Sequence, residues 1–280
     1  MVEVSPSPRW AASKVNDMCT VIVGFDPGAH TPVVVAAFRD EMRSRPWDRP
    51  AHHWPERPTL LGGRDRLAGG TWLAVDTARP RVTALLNGWP WDGDMPWEGT
   101  YPASRGDLPL HALSTQYRNP LHGLDLTLYA PFHLVDVDAH RATLHSWDGR
   151  CLDTRALPAG VNVVVNTGLD PRDPRVSRHT PTFTRTRPDA LLSPDTPITQ
   201  VWGEWPRLVT EAALSPTRSV GGEGDPSGLI AHADLGEGRI WATGSVTLVA
   251  LDRENLRYAR PDATDDELLE GLKKPAAAME

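Results

Sequence analysis

Lysine is nearly missing from this sequence. Lys14, Lys273 and Lys274 are the only three in 280 residues, and the other 26 of the 29 basic residues are arginine. Arginine, proline and alanine in such excess over lysine are the bias expected of a bacterium with a GC-rich genome. With 36 acids the formal net charge is −7. No basic stripe is present, which argues against a nucleic-acid partner, and no polybasic cluster marks a membrane-surface contact. Cysteine is equally scarce. Cys19 and Cys151 stand alone with no C-x-x-C, so a disulfide framework does not organise the fold. Two reduced thiols suit a cytoplasmic location. No apolar run approaches the roughly 20 residues of a membrane-spanning helix, and residues 1–17 lack the apolar centre of a secretory signal. The ten histidines are scattered without H-E-x-x-H spacing, so no metal site is assigned.

Tryptophan is abundant by contrast. Six of the eleven, Trp47, Trp54, Trp89, Trp91, Trp97 and Trp205, adjoin proline. Such residues line ligand grooves, and Trp-Pro stacking also rigidifies long loops. Both readings stay open at this stage.

Residues 1–17 show no periodic pattern and read as a disordered extension or a mis-assigned start. Residues 18–260 read as one domain, and 261–280 as a C-terminal helix, over Asp262 to Leu272, with a tail. Within the domain, β-branched and apolar runs predict strands over Cys19–Phe25 and Val33–Ala37, joined by the turn at Asp26-Pro27-Gly28. Thr71–Val75 and Arg81–Leu86 predict a second pair. Further strands are expected over Phe132–Val137, Ala142–Trp147, Val161–Val165, Arg239–Thr243 and Val246–Leu251. Several are apolar on both faces and need layers on both sides. Helices are fewer. Asp107 is placed to cap Leu108–Ser114, and Thr199–Leu214 reads as a helix that Pro206 kinks or splits. Hairpins dominate and helices sit in blocks between them, which favours an antiparallel α+β layered fold.

Met18-Cys19 is the first place with chemistry. If translation starts at Met18, aminopeptidase trimming leaves Cys19 as the mature N-terminus. Its α-amine then serves as base for its own thiol. Otherwise Cys19 is an ordinary core thiol. Arg39 and Asp40 end the second strand, near the start of the first, where an arginine lowers a thiol pKa and a carboxylate orients an ammonium group. Gly62-Gly63 and Gly69-Gly70 lack the lysine of a phosphate loop and read as points of close backbone approach. Asn87 and Asn166 each end an apolar strand, where a side-chain amide serves an oxyanion or caps a turn.

Met18-Cys19-Thr20, Ala37-Phe38-Arg39-Asp40-Glu41, Gly62-Gly63-Arg64-Asp65, Gly69-Gly70-Thr71-Trp72-Leu73, Leu86-Asn87, Ser104-Arg105-Gly106, Pro131-Phe132-His133-Leu134, Val165-Asn166 and the stretch from Thr243 to Thr247 occur in this order. Together they resemble the NRDE family, also called the transport and Golgi organisation protein two family. Phe38 stands where the family name places asparagine, and Ala74 follows Leu73 where many members have glycine.

The resemblance implies an N-terminal-nucleophile-like, four-layer αββα sandwich with antiparallel sheets. By analogy with cysteine acylases of that fold, it implies an amide hydrolase. Cys19 would be the nucleophile, Arg39 and Asp40 would hold the thiolate and α-amine, Asn87 would donate to the oxyanion, and Asn166 would support the amine or the oxyanion. No cofactor is required in this reading, and the ligand is an acyl amide. The resemblance also implies an alternative: a haem-trafficking carrier without catalysis. Arg39, Arg64 or Arg105 would then pair with propionates, and Trp72 with the Trp-rich loops at 47–58 and 89–102 would edge the cleft.

Overall fold

The structure, a computed structural model, describes residues 19–89, 101–214 and 224–259. In chain order its elements are β1 (Thr20–Phe25), β2 (Val33–Met42), β3 (Trp47–Ala51), β4 (Leu60–Asp65), β5 (Leu73–Asp76), β6 (Arg81–Asn87), α1 (Asp107–Ser114), β7 (Phe132–Asp138), β8 (Ala142–Trp147), β9 (Leu152–Ala156), β10 (Gly160–Val165), α2 (Pro174–Arg185), α3 (Ile198–Trp202), α4 (Trp205–Leu214), β11 (His232–Asp234), β12 (Ile240–Leu251) and β13 (Leu256–Ala259).

Two sheets result. The first runs β10-β1-β2-β12-β11, with β13 also on β12. The second is a meander from β3 to β9 in sequence order. Every described strand pair is antiparallel. The hairpins expected at β1–β2 and β5–β6 form, but β2 runs on to Met42 because β12 pairs with it that far, so Arg39 and Asp40 lie inside the strand rather than at its end. β1 is buried along its whole length, and alternation divides it between two cores. Val21, Val23 and Phe25 pack with Val75, Val82, Ala84, Leu86 and Val135 of the second sheet. Ile22 packs with Phe183, Val201, Trp202, Trp205 and Val209 of α2, α3 and α4. On the far side of the second sheet, Leu108 and Ala112 of α1 meet Phe132, Leu134 and Trp147. Among the described residues no helix is long and apolar enough to cross a membrane.

Local chemistry explains where elements stop and where the sequence reading needs correction. The N-cap of α1 is Gly106, with no side-chain cap, and Asp107 lies in the first turn. The expected helix over Thr199–Leu214 is two helices. Gly203, at φ +51°, separates them, and Pro206 falls in the first turn of α4, where it costs no hydrogen bond. The expected strands 239–243 and 246–251 are one strand, β12, with an irregularity between Thr243 and Ser245. Helix α2 is an element the sequence pattern does not announce, although Asp173 accepts from the backbone of Arg175 and Pro174 opens the helix. The expected extension 1–17 and helix 262–272 lie outside the described residues.

Three of the four paired glycines are points of close approach, while Gly69 is held instead by a left-handed φ of +77°. A Cβ on Gly62 would lie 2.6 Å from the Leu73 carbonyl oxygen, one on Gly63 2.5 Å from the Trp72 ring, and one on Gly70 2.4 Å from the Gly106 backbone. Trp54 is buried, donating to the Gly69 carbonyl at 3.0 Å. It therefore rigidifies its loop. The loop at 90–100 lies outside the described residues.

Candidate functional site

Register decides which residues gather around Cys19. Thr20 pairs with Val165 on one side and with Phe38 on the other. One step along, Cys19 stands level with Asn166 and Arg39, and Arg39 pairs with Ser245 of β12. Cys19 packs against the core between the sheets, which also holds Val21, Ala37, Val164 and Val249. Alternation puts Arg39, Asn166 and Ser245 on that same face. A polar row, Asn166–Cys19–Arg39–Ser245, thus crosses the first sheet, beside the ends of β10 and β1 and through the interior of β2 and β12.

Cys19 is half-buried, and its Sγ lies 3.7 Å from the Asp40 carbonyl oxygen. Burial, and next the negative charge of Asp40, push its thiol up to about 12, against the smaller opposing effects of the Asp40 backbone contact and Arg39. The thiol is neutral at pH 7. The Asp40 carboxylate accepts from Thr243 Oγ1 at 2.5 Å, tying β2 to β12.

Arg39 is 7% exposed. Its Nη2 lies 3.3 Å from Glu41 Oε2 and 3.9 Å from Asp65 Oδ2. Its guanidinium stands 4.3 Å from the Trp72 ring centre, and Trp47 meets that ring edge-on. Burial lowers the Arg39 pKa, and the aromatic face offsets part of that desolvation. Asp65 receives Arg45 Nε at 2.5 Å and the backbone N–H groups of Leu67 and Ala68, and these donors hold its pKa below the usual range against its own burial.

Asn166 is 1% exposed. It sits just past β10 in a turn where Val165 and Gly168 exchange backbone hydrogen bonds at 3.1 and 2.7 Å. Its Nδ2 donates to the Asn87 carbonyl at 2.8 Å, linking the two sheets. The Asn87 carbonyl, rather than its side chain, makes this contact. Asn166 Oδ1 is buried without a partner among the described residues.

The other expected residues stand elsewhere. Arg64 lies on the opposite face of β4 from Asp65 and donates Nε and Nη2 to Asp48 at 2.8 and 2.6 Å. Arg105 donates to the Pro131 carbonyl at 2.9 Å, as does the backbone N–H of Gly88. It therefore adjoins the Asn87 end of β6. The described residues contain no cluster of metal-ligating side chains.

Three residues at this site carried no role in the sequence reading. Arg175, fully buried, donates to Asp173 at 3.0 and 2.8 Å, to Thr20 Oγ1 at 2.8 Å and to the Cys19 carbonyl at 3.3 Å. The Asp173-Pro174 helix start was a readable signal for α2, but not for the direction of the guanidinium. His133 bridges Ser146 Oγ, 2.8 Å from Nδ1, and the Asn166 carbonyl, 3.1 Å from Nε2. A carbonyl can only accept, so Nε2 carries the proton and Nδ1 accepts from the hydroxyl. Burial depresses its pKa to about 4. Ser245 is the third.

No curated protein matches this chain. Among solved structures, it is similar to the Caenorhabditis elegans N-acylethanolamine-hydrolyzing acid amidase (NAAA) ortholog, at 13% identity and a TM-score of 0.30, covering 54% of this chain and 70% of that one. The model of the family described as Transport and Golgi organisation 2 matches residues 18–203, beginning at Met18. That match takes in Cys19, Arg39, Asp40, Trp72, Asn87 and Asn166 in one continuous span, and the chain belongs to the Transport and Golgi organisation 2 (NRDE) family.

Proposed function

We propose that this protein is an amide hydrolase of the N-terminal-nucleophile type, with Cys19 as nucleophile and its layers arranged as an αββα sandwich. One observation carries the reading. Cys19 stands in the polar row between Asn166 and Arg39, and Asn166 Oδ1 is buried there without a partner. An orphaned buried acceptor is costly unless a donor completes it. An α-ammonium group freed at Cys19 is such a donor. It would also place a positive charge beside a thiol that is otherwise held near 12.

In this reading the α-amine takes the thiol proton. Sγ then bonds to the amide carbonyl carbon, and the carbonyl electron pair moves to oxygen, where the Asn87 amide donates. The C–N bond breaks, and the leaving nitrogen takes the proton from the α-ammonium. Water, giving its proton to the α-amine, attacks the thioester. The products are a carboxylic acid and the restored thiol. Arg39 and Asp40 hold the nucleophile and amine in place.

The test is intact-mass analysis of protein expressed from its native gene, followed by a thiol-reactive acyl probe. A mature chain beginning at Cys19, labelled at Cys19 and unlabelled in Cys19→Ala, is expected. A mature chain that keeps residues 1–17 would remove the free amine and with it this mechanism.

In the haem-carrier alternative all three arginines already have protein acceptors: Arg64 is held by Asp48, Arg105 is bonded to the Pro131 carbonyl, and Arg39, beside Trp72, is paired with Glu41. This alternative requires a shift of the haem absorbance band at micromolar haem that persists in Cys19→Ala.

A further inference from the structure

We propose that the Nη1 side of Arg39, Ser245 Oγ and the irregularity at Gly244 form a subsite for a carboxylate of the ligand. Ser245 is 1% exposed, and its hydroxyl is buried with no partner among the described residues. It pairs across the ladder with Arg39, so the two side chains leave the sheet on the same face about 5 Å apart at Cβ. The guanidinium is used asymmetrically. The shortest contacts of both nearby acids, Glu41 and Asp65, are to its Nη2. Among the described residues Nη1 has no protein acceptor, and the group next to it is Gly244.

Among the described residues, a Cβ built on Gly244 would meet only Arg39 Nη1, at 3.7 Å. The glycine therefore leaves open the space that a side chain would take beside Nη1. Register slips in β12 at this point, between Thr243 and Ser245, and such irregularities re-aim side chains and recur beside functional sites. One oxygen placed there accepts from both Nη1 and the Ser245 hydroxyl, satisfying two donors that the fold leaves open. A carboxylate suits an arginine best, because the bonds are charge-assisted. Arg45 offsets the repulsion from Asp65 and Glu41, with its Nε 2.5 Å from the first and 3.6 Å from the second.

The inference rests on the nucleophile reading only for which part of the substrate this is. If Cys19 attacks an amide, the carboxylate belongs to the same molecule, within two strands of the sulfur. The substrate class is then an amide that also bears an acid.

Binding itself needs neither turnover nor a free amine. The experiment is isothermal titration of the full chain at pH 7 with hexanoate and with its neutral isostere hexanamide. Hexanoate is expected to bind at least ten-fold more tightly. Ser245→Ala should weaken hexanoate about ten-fold, in line with one lost bond to a charged group. Its melting temperature should hold or rise, because an orphaned hydroxyl is removed. Gly244→Leu should fill the space and abolish binding, whereas Gly244→Ala should fold normally. Cys19→Ala should bind hexanoate as the wild type does. A protein that binds hexanoate but is never labelled at Cys19 keeps this subsite and loses the hydrolase. Equal binding of acid and amide, no binding of the acid, or unchanged affinity in Ser245→Ala overturns the proposal. So does a Ser245→Ala protein that melts well below wild type, since its hydroxyl would then have a partner in the protein.

Discussion

The side-chain amide of Asn166 donates to the main-chain carbonyl of Asn87 at 2.8 Å, and this bond spans the two sheets at the end where Cys19 lies. Asn166 follows β10 in the first sheet and Asn87 ends β6 in the second. His133 grips the Asn166 carbonyl from β7. The second sheet thus holds the asparagine at two points, and its side-chain Oδ1 is buried without a partner among the described residues.

Removing that link should loosen both sheets. Asn166→Ala strands the Asn87 carbonyl and is expected to cost about 2 kcal/mol. Urea denaturation of the full chain measures it. A loss no greater than that of a surface Asn→Ala control would mean the cross-sheet bond contributes nothing.

Gly63 sets the place of Trp72, and Trp72 that of Arg39. Gly63→Ala puts a methyl group 2.5 Å from the indole, and a bicyclic ring cannot flex aside. The expected cost is about 1–3 kcal/mol from overpacking, together with a weaker Arg39–Trp72 contact. Gly69→Ala is the contrasting variant. Among the described residues nothing lies within 4 Å of its Cβ, but its φ of +77° strains any L residue. Denaturation midpoints should fall in both. Cys19 labelling rates should change only in Gly63→Ala.

His133 makes a pH prediction with a definite sign. Its folded pKa, about 4, lies below the usual 6.5. A depressed histidine stabilises the fold fully above about pH 6.5, and that stability is lost as pH falls through 4. The amount is on the order of 3 kcal/mol. Urea midpoints measured between pH 7 and pH 4 should fall less steeply in His133→Gln than in wild type. Parallel slopes would show that the ring is not buried neutral.

Arg175 and Asp173 form a buried pair that reaches the Cys19 carbonyl. Arg175→Met leaves a buried carboxylate unpaired and is expected to cost about 3–5 kcal/mol. Arg175→Lys keeps the charge but loses the two-pronged contact, so it should fall between. If the guanidinium positions Cys19, the Lys variant will also slow labelling of that thiol at pH values where the fold is intact. Unchanged labelling in a folded Lys variant would confine Arg175 to stability.

Much of the strand order was legible from local chemistry. β1 with β2 and β5 with β6 were readable because apolar runs flank turn residues close in sequence. Gly62, Gly63 and Gly70 were readable as close approaches because nothing else in their surroundings suited a phosphate loop; Gly69 is a glycine for its positive φ instead. Helix α2 escaped because, among its side chains, only Arg175 and Phe183 are buried, too few to write an apolar period. The single strand β12 was read as two because Gly244 interrupts its apolar run.

The sequence by itself determined the longer apolar strands, the β1–β2 and β5–β6 hairpins, and that Cys19 and Asn166 lie beside strand ends, since period and turn chemistry are local properties. It did not announce β3, β4, β9, β11 or β13, which are short or polar, nor that β2 carries Arg39 in its interior. Only the tertiary structure decided that Cys19, Arg39 and Asn166 fall on one row and one face with Ser245, because a slip of one residue in any of four strands turns a side chain to the opposite layer. It also decided that Arg175 reaches the Cys19 carbonyl and that Asn166 is held by Asn87. Those bonds join residues far apart in the chain, whose approach depends on how the sheets and helices pack.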